Sequence, residues 1–253
     1  MISDLQKASM WKRASAFLLD AILLVVLATG FFLVISLITG YDQHMNIVSE
    51  AYERIGTQYG ITSEMKQKDQ ADMTPEELAA MNAANAAIAA DAEAVHSYQM
   101  VSTLSVLIVS LGLLASFLLL EFAVPLLLGD GQTIGKKIFG IGLMHTEGVR
   151  LGHVALFIRT VLGKYAVETM PLALSLVFII GGIGSPVFLL ITAVLLIAQV
   201  ILLIVSRENA LLHDRMAVTV AVDLASQMIF DTHEQLLEYK KKAHAEKAAS
   251  SVY

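Results

Sequence analysis

The sequence predicts an all-α polytopic membrane protein with about four transmembrane helices, and three observations lead there. Hydrophobic residues make up 56% of the 253 and charged ones 16%, against about 45–50% and 25% in soluble domains. Apolar runs at Phe17 to Thr39, Val101 to Leu128 and Met170 to Ser206 meet the length of about 20 residues that a membrane-crossing helix needs. The segments around these runs are basic, acidic, basic and basic in chain order. By the positive-inside rule both termini are then cytoplasmic and the number of spans is even.

The elements follow in order. Residues 1–40 hold the N-terminus and first span, with Lys7, Lys12 and Arg13 before it and Asp20 one turn inside. The run is too long for a signal-peptide core and no small-residue cleavage site follows it, so a retained anchor is expected. Residues 41–97 form an extracytoplasmic helical insertion, carrying Arg54, Lys66 and Lys68 against ten acids. Thr74-Pro75-Glu76-Glu77 is a capping box with proline at the first helical position. Leu78, Met81, Asn85, Ile88, Ala92 and Val95 then trace a weak heptad seam, echoed upstream by Val48, Tyr52, Ile55 and Tyr59. A hairpin of two antiparallel helices fits.

Residues 98–128 are the second span, with Glu121 and Pro125 near its inner end. Residues 129–165 are a cytoplasmic linker. In it Ile138 to Met144 reads as a strand, His145 to Gly148 as a turn and Val149 to Leu151 as a return strand. Val154, Phe157, Ile158, Val161, Leu162 and Tyr165 follow helical spacing, which predicts an interfacial amphipathic helix on the inner leaflet. Residues 166–206 are two further spans broken at Gly181 to Pro186, with that turn outside. Residues 207–253 are a cytoplasmic tail with a strand at Met216 to Val222, completing a small β element, and a polar helix from Ser226 to Lys247.

Several chemistries are excluded. Without cysteine there is no disulfide, thiol nucleophile or cysteine metal site. The run from Gly129 to Lys136 fails as a phosphate loop, because Asp130 stands where the first glycine belongs and Lys137 where Ser or Thr would hold magnesium. His233-Glu234 has Leu237 in place of the second zinc-protease histidine. Catalytic residues, metal and cofactor are therefore not expected. No basic domain points to nucleic acid.

What remains is charge on the cytoplasmic side. A carboxylate inside a membrane costs about 2.5–3.5 kcal/mol on insertion scales. Arg13 and Asp20 are two helical turns apart, about 10 Å along one face. Glu121, Glu168, Asp214 and Arg215 reach the same end of the bundle by topology. A desolvated carboxylate can alternate between a proton and a cation. Asp20, Glu121 and Asp214 are accordingly the ion- and proton-pathway candidates, with Arg13, Arg215 and Arg159 as charge partners. Lys136 and Lys137 are candidates for a lipid headgroup. The plainer reading of Arg13, Asp20 and Asp214 is an ion-pair clamp between the first span and the inner sheet.

Three blocks carry a family resemblance: Arg13 with Asp20, Gly131-Gln132-Thr133-Ile134-Gly135-Lys136-Lys137, and Leu212-His213-Asp214-Arg215-Met216-Ala217. Together they resemble the RDD family of prokaryotic membrane proteins, named for an arginine and two aspartates that map onto Arg13, Asp20 and Asp214. Val218 departs from the pattern, which has a glycine before Thr219, and the 41–97 insertion is unusually long. The resemblance implies a bacterial inner-membrane protein, some relatives being proposed as sodium/proton antiporters. Two functions stay open: a secondary transporter exchanging protons for small cations, as a homodimer or other oligomer in the lipid bilayer, and a non-transporting adaptor that recruits partners.

Overall fold

The structure, a computed structural model, describes residues 6–181, 186–205 and 210–250. The expected turn at Gly182 to Ser185 and the basic Arg207 lie outside the described residues. Two compact units are present, Phe32–Val109 and the remainder of the chain.

Helix α1 (Met10–Thr39) is unbroken for 30 residues and stops at Gly40, whose φ of 69° is left-handed; α2 (Tyr41–Gln58) begins at once. α1 exposes large side chains such as Phe17, Leu18, Val25 and Val26 and buries the small Ala16 and Ala28. That is the pattern of a helix in lipid, where apolar bulk faces the tails and small residues admit neighbouring backbone. α4 (Ala92–Leu128) and α6 (His153–Ile180) are also long and apolar enough to cross a membrane. α7 (Pro186–Val205) is strongly apolar too, but its Pro186–Leu202 stretch ranks as a shorter helix. Against the expectation of four spans, the described residues hold three candidates and one shorter apolar helix.

Within Phe32–Val109, α2 packs on α3 (Pro75–Ala90). His44 Nδ1 meets Ser97 Oγ at 3.4 Å, and Arg54 meets Asp91 at 2.5 Å. Partners descend in number as α2 ascends, so α2 runs antiparallel to the segment 91–97. The capping box is present in full: Thr74 Oγ1 accepts from Glu77 N–H at 3.2 Å, and Glu77 Oε2 accepts from Thr74 N–H at 2.8 Å. The seam differs. Ala84 is buried while Asn85, Ala92 and Tyr52 are exposed, and Asp91 interrupts the helix before α4. An amide on a packed face would need a buried partner, and the small Ala84 lets the helices approach without one.

The β element is also redrawn. Ile134–Ile138 is a short helix, α5, capped by Thr133. β1 is Ile141–His145 and pairs antiparallel with β2 (Thr219–Asp223), from Ile141 opposite Asp223 to His145 opposite Thr219. The expected return strand at Val149 to Leu151 makes only isolated bridges, Met144 with Arg150 and Val149 with Phe230. Gln6 to Ala8 lies along β2, with Ala8 N–H donating to Ala221 and Asp223 N–H to Gln6. One face packs Ile141, Leu143 and Ala221 with Ala8 and Ala16; the other packs Met144, Val220 and Val222 against Ile229.

The expected interfacial helix is not separate. Val154 to Tyr165 is the first half of α6, which continues to Ile180. Residues Ile158–Thr169 of α6 are wound as a π-helix, and so are Leu118–Ala123 of α4. After α8 (Leu212–Met216) and β2, the tail ends in α9 (His233–Ser250).

Candidate functional site

Three parts build one charge network. The first is the turn before α5. Asp20 accepts from Thr133 Oγ1 at 2.5 Å and from Gly135 N–H at 2.7 Å, with Lys136 Nζ 3.9 Å away. A side chain at Gly135 would put its Cβ 2.3 Å from the carbonyl oxygen of Ala16. Only glycine lets this turn sit against α1. Gly131 is held similarly, at φ 60° with Leu143 Cβ 2.8 Å from where a Cβ would stand, and Gln132 Nε2 donates to the Ile141 carbonyl at 2.9 Å. The Gly-Gln-Thr-Ile-Gly-Lys run is therefore a joint between α1 and the sheet.

The second block is α8. Asp214 is 1% exposed and accepts from Arg159 Nη2 at 2.6 Å and Nε at 3.1 Å, from Thr219 Oγ1 at 3.3 Å and from Leu211 N–H at 3.2 Å. Arg13 approaches at 3.7 Å. Burial pushes this carboxyl upward, but Arg159, His213 and Arg13 outweigh it and hold the group below the usual carboxylate range. His213 contacts Glu168 through Nδ1 at 2.8 and 2.9 Å and through its backbone N–H at 2.9 Å. Burial, then Arg159, lowers the His213 pKa against the opposing pull of Asp214 and Glu168. α8 can lie this close because Gly163 faces it; a Cβ there would be 2.6 Å from His213 Cβ.

The third part is Glu121, 6% exposed in the π-wound turn of α4. Lys164, from the π-wound half of α6, donates to Glu121 Oε1 at 2.6 Å. Pro125 has no N–H to return to the Glu121 carbonyl; Thr160 Oγ1 donates to it at 2.9 Å. Among the described residues, Glu121 Oε2 is the buried side-chain oxygen without a hydrogen-bond partner.

Between these parts lies a cavity of about 280 Å³, lined among others by Arg13, Asp20, Lys136, Arg159, Lys164 and His213. Burial first, and then Lys164 and Arg159, lower the Lys136 pKa to about 8 against the opposing pull of Glu121 and Asp20. So Arg13, Asp20, Arg159 and Lys136 converge on one space, while Glu121 and Asp214 are a side chain away from it. Lys137 and Arg215 do not join them; both are exposed. Thr133, Thr160 and Lys164 also join the network, as partners that the sequence candidates do not include. Lys164 lies five residues after Arg159, one π turn, and that winding has no clear sequence mark. Among the described residues no histidine–carboxylate group has metal-site geometry.

No curated protein and no solved structure matches the chain. The pattern of the RDD family matches residues 7–218. That range contains α1 with Arg13 and Asp20, the Gly131 to Lys137 joint, Arg159 and Asp214. Since the match covers most of the sequence and every block that builds the charge network, the chain belongs to the RDD family.

Proposed function

We propose that this membrane protein is a secondary transporter exchanging protons for small cations, with Glu121 as the exchanging carboxylate. The observation that carries this reading is Glu121 Oε2, buried without a partner where two π-wound helices meet. An unsatisfied charged oxygen costs several kcal/mol in a low-dielectric setting unless something occupies it, and π turns concentrate at functional sites. A proton on Oε2, or a small dehydrated cation, relieves that cost. Lys164 serves as the internal counter-charge that yields when the cation arrives. Each carboxylate oxygen of Asp20 and of Asp214 has a hydrogen-bond donor, which suits them to holding the site in shape.

The same reading takes the chain as a multi-pass protein of the bacterial plasma membrane with both termini cytoplasmic, the basic flanks being its support. α7 then completes a fourth span, and a homodimer supplies further walls for the pathway. The test is cation-driven pH change in proteoliposomes holding only this protein. Wild type is expected to exchange and Glu121→Gln to lose exchange at equal reconstituted protein; wild-type rates in that variant overturn the assignment. The adaptor reading draws on the compactness of Phe32–Val109. If it holds, deleting residues 44–95 abolishes partner capture; on the transport reading the deletion leaves exchange largely intact.

A further inference from the structure

We propose that the cavity beside Glu121 is a binding site for a phosphate-class oxyanion. Its charged wall is one-sided. Arg13, Lys136, Arg159 and Lys164 face it as cations, and Asp20 is the carboxylate among its lining residues. Glu121 and Asp214, which compensate part of this charge, are not in the lining. The network as a whole is balanced, but the empty space it encloses is cationic.

Arg13 makes the case sharper. Its side chain is 14% exposed, and its nearest carboxylate oxygen, on Asp214, is 3.7 Å away, beyond hydrogen-bond distance. Asp214 is already occupied by Arg159, Thr219 and Leu211. A guanidinium presents five donors in a planar fork suited to oxyanions. Here that fork is largely withdrawn from water, lines a cavity, and has no hydrogen-bonded acceptor among the described residues. Lys136 is similar: its ammonium donates to the neutral Thr133 Oγ1 at 3.1 Å and is 3.9 Å from Asp20. Two under-used cationic donors facing one space call for a tetrahedral anion that accepts from both at once. The remaining wall is apolar, with Met10, Phe17, Ile141 and Leu211, which suits the esterified side of a phosphate. That chemistry comes either as a phospholipid headgroup entering beside α1 or as free phosphate from the aqueous side.

The experiment is calorimetric titration of the purified full chain in detergent with three probes: inorganic phosphate, a short-chain phosphatidate, and a short-chain phosphatidylcholine as the zwitterionic control. Binding of phosphatidate but not inorganic phosphate identifies a headgroup site; binding of both identifies a free-phosphate site. Each outcome supports the proposal if the variants agree. Arg13→Gln is expected to weaken binding roughly tenfold or more, the scale of a lost charge-assisted hydrogen bond. Because Arg13→Gln also disturbs Asp214, Ala14→Phe is the second variant. It fills the cavity from a lining position that is otherwise exposed on α1, leaves every charge in place, and is expected to abolish binding. Lys137→Gln, next in sequence to Lys136 but exposed, is expected to change affinity by less than about twofold. The proposal is overturned if neither anion binds, if phosphatidylcholine binds as tightly as phosphatidate, or if Ala14→Phe leaves binding intact. It stands apart from transport: Glu121→Gln abolishes exchange on the reading above and leaves anion binding in place.

Discussion

Replacing Asp20 by Asn and by Ala separates charge from geometry at the joint between α1 and α5. In the wild-type protein the carboxylate takes two donors, Thr133 Oγ1 and Gly135 N–H. An Asn keeps the volume: its amide oxygen can accept from Gly135, and its NH₂ can donate to Thr133 Oγ1 once that hydroxyl turns. What Asn loses is the charge component of these bonds and the attraction to Lys136 at 3.9 Å. Charged hydrogen bonds exceed neutral ones by about 1 kcal/mol each, so Asp20→Asn is expected to cost about 1–2 kcal/mol. Ala removes both acceptors. The Gly135 N–H then loses its acceptor in a turn packed closely on α1, and Lys136 loses the carboxylate 3.9 Å away. Orphaning a buried charge and a buried donor costs about 3–5 kcal/mol. Unfolding by increasing SDS fraction in mixed micelles, followed by far-UV circular dichroism, reads the difference. Equal stability of the two variants within about 0.5 kcal/mol would refute the reasoning, because the donors would then not depend on an acceptor at position 20.

Other outcomes follow from single features. Val218 has φ 54°, a left-handed conformation in a β-branched residue, and is 48% exposed. Left-handed backbone costs roughly 1–2 kcal/mol without glycine, offset by glycine's greater unfolded freedom, so Val218→Gly is expected to stabilise by about 0.5–1 kcal/mol; destabilisation in the same SDS assay contradicts it. Asp214→Ala strands Arg159 in a buried site and is expected to cost about 3–5 kcal/mol, with Asp214→Ala/Arg159→Met together less harmful than the sum; simple additivity would mean the two do not interact. Lys136 has its folded pKa lowered to about 8 from 10.5, so between those pH values the unfolded chain binds more protons and stability rises with pH. Melting temperatures at pH 7 to 10 should show that rise, and Lys136→Met should flatten it; an unchanged slope in the variant assigns the rise elsewhere. For topology, Asn85→Cys and Ile180→Cys, both at exposed positions, should each label from outside in intact cells; labelling of only the first rules out the four-span arrangement.

Much of this architecture was legible because it rests on one-dimensional signals. The apolar runs place α1, α4 and α7 by length, and the Thr74 to Glu77 capping box forms as its sequence demands, since its hydrogen bonds span three residues. Features that depend on remote partners were not legible. Val149 to Leu151 has a strand's composition, but β1 finds β2 from beyond residue 218, and loop closure leaves Val149 and Arg150 with single bridges. In sequence, the boundary between an interfacial helix and the third span falls at Tyr165, where polar residues interrupt the apolar pattern. Those residues, Arg159, Thr160 and Lys164, face Asp214 and Glu121 and not water, so the helix continues through them. Within the charge network the three named blocks could be read in sequence; which acid meets which base could not. Arg159 takes Asp214 ahead of the adjacent Arg215, because a helix turns the neighbouring side chain about 100° away.

The seating of Gln6 to Ala8 along β2, and the 2.7 Å pair of Lys12 with Asp223 across 211 residues of chain, has a consequence for biogenesis. A membrane helix enters the bilayer as the ribosome delivers it, so α1 arrives with Arg13 and Asp20 long before Thr133, Gly135, Asp214 and β2 have been made. Until then its basic end and its intramembrane carboxylate have no permanent companions. Water is the solvent that can satisfy Asp20 before those partners exist, since an uncompensated carboxylate within a membrane is costly. The partners of Arg13, Lys12 and the Gln6 to Ala8 segment exist only once the segment from Leu212 to Asp223 has been made. A chain that stops before that point leaves Arg13 and Arg159 without the Asp214 carboxylate that both approach in the finished protein.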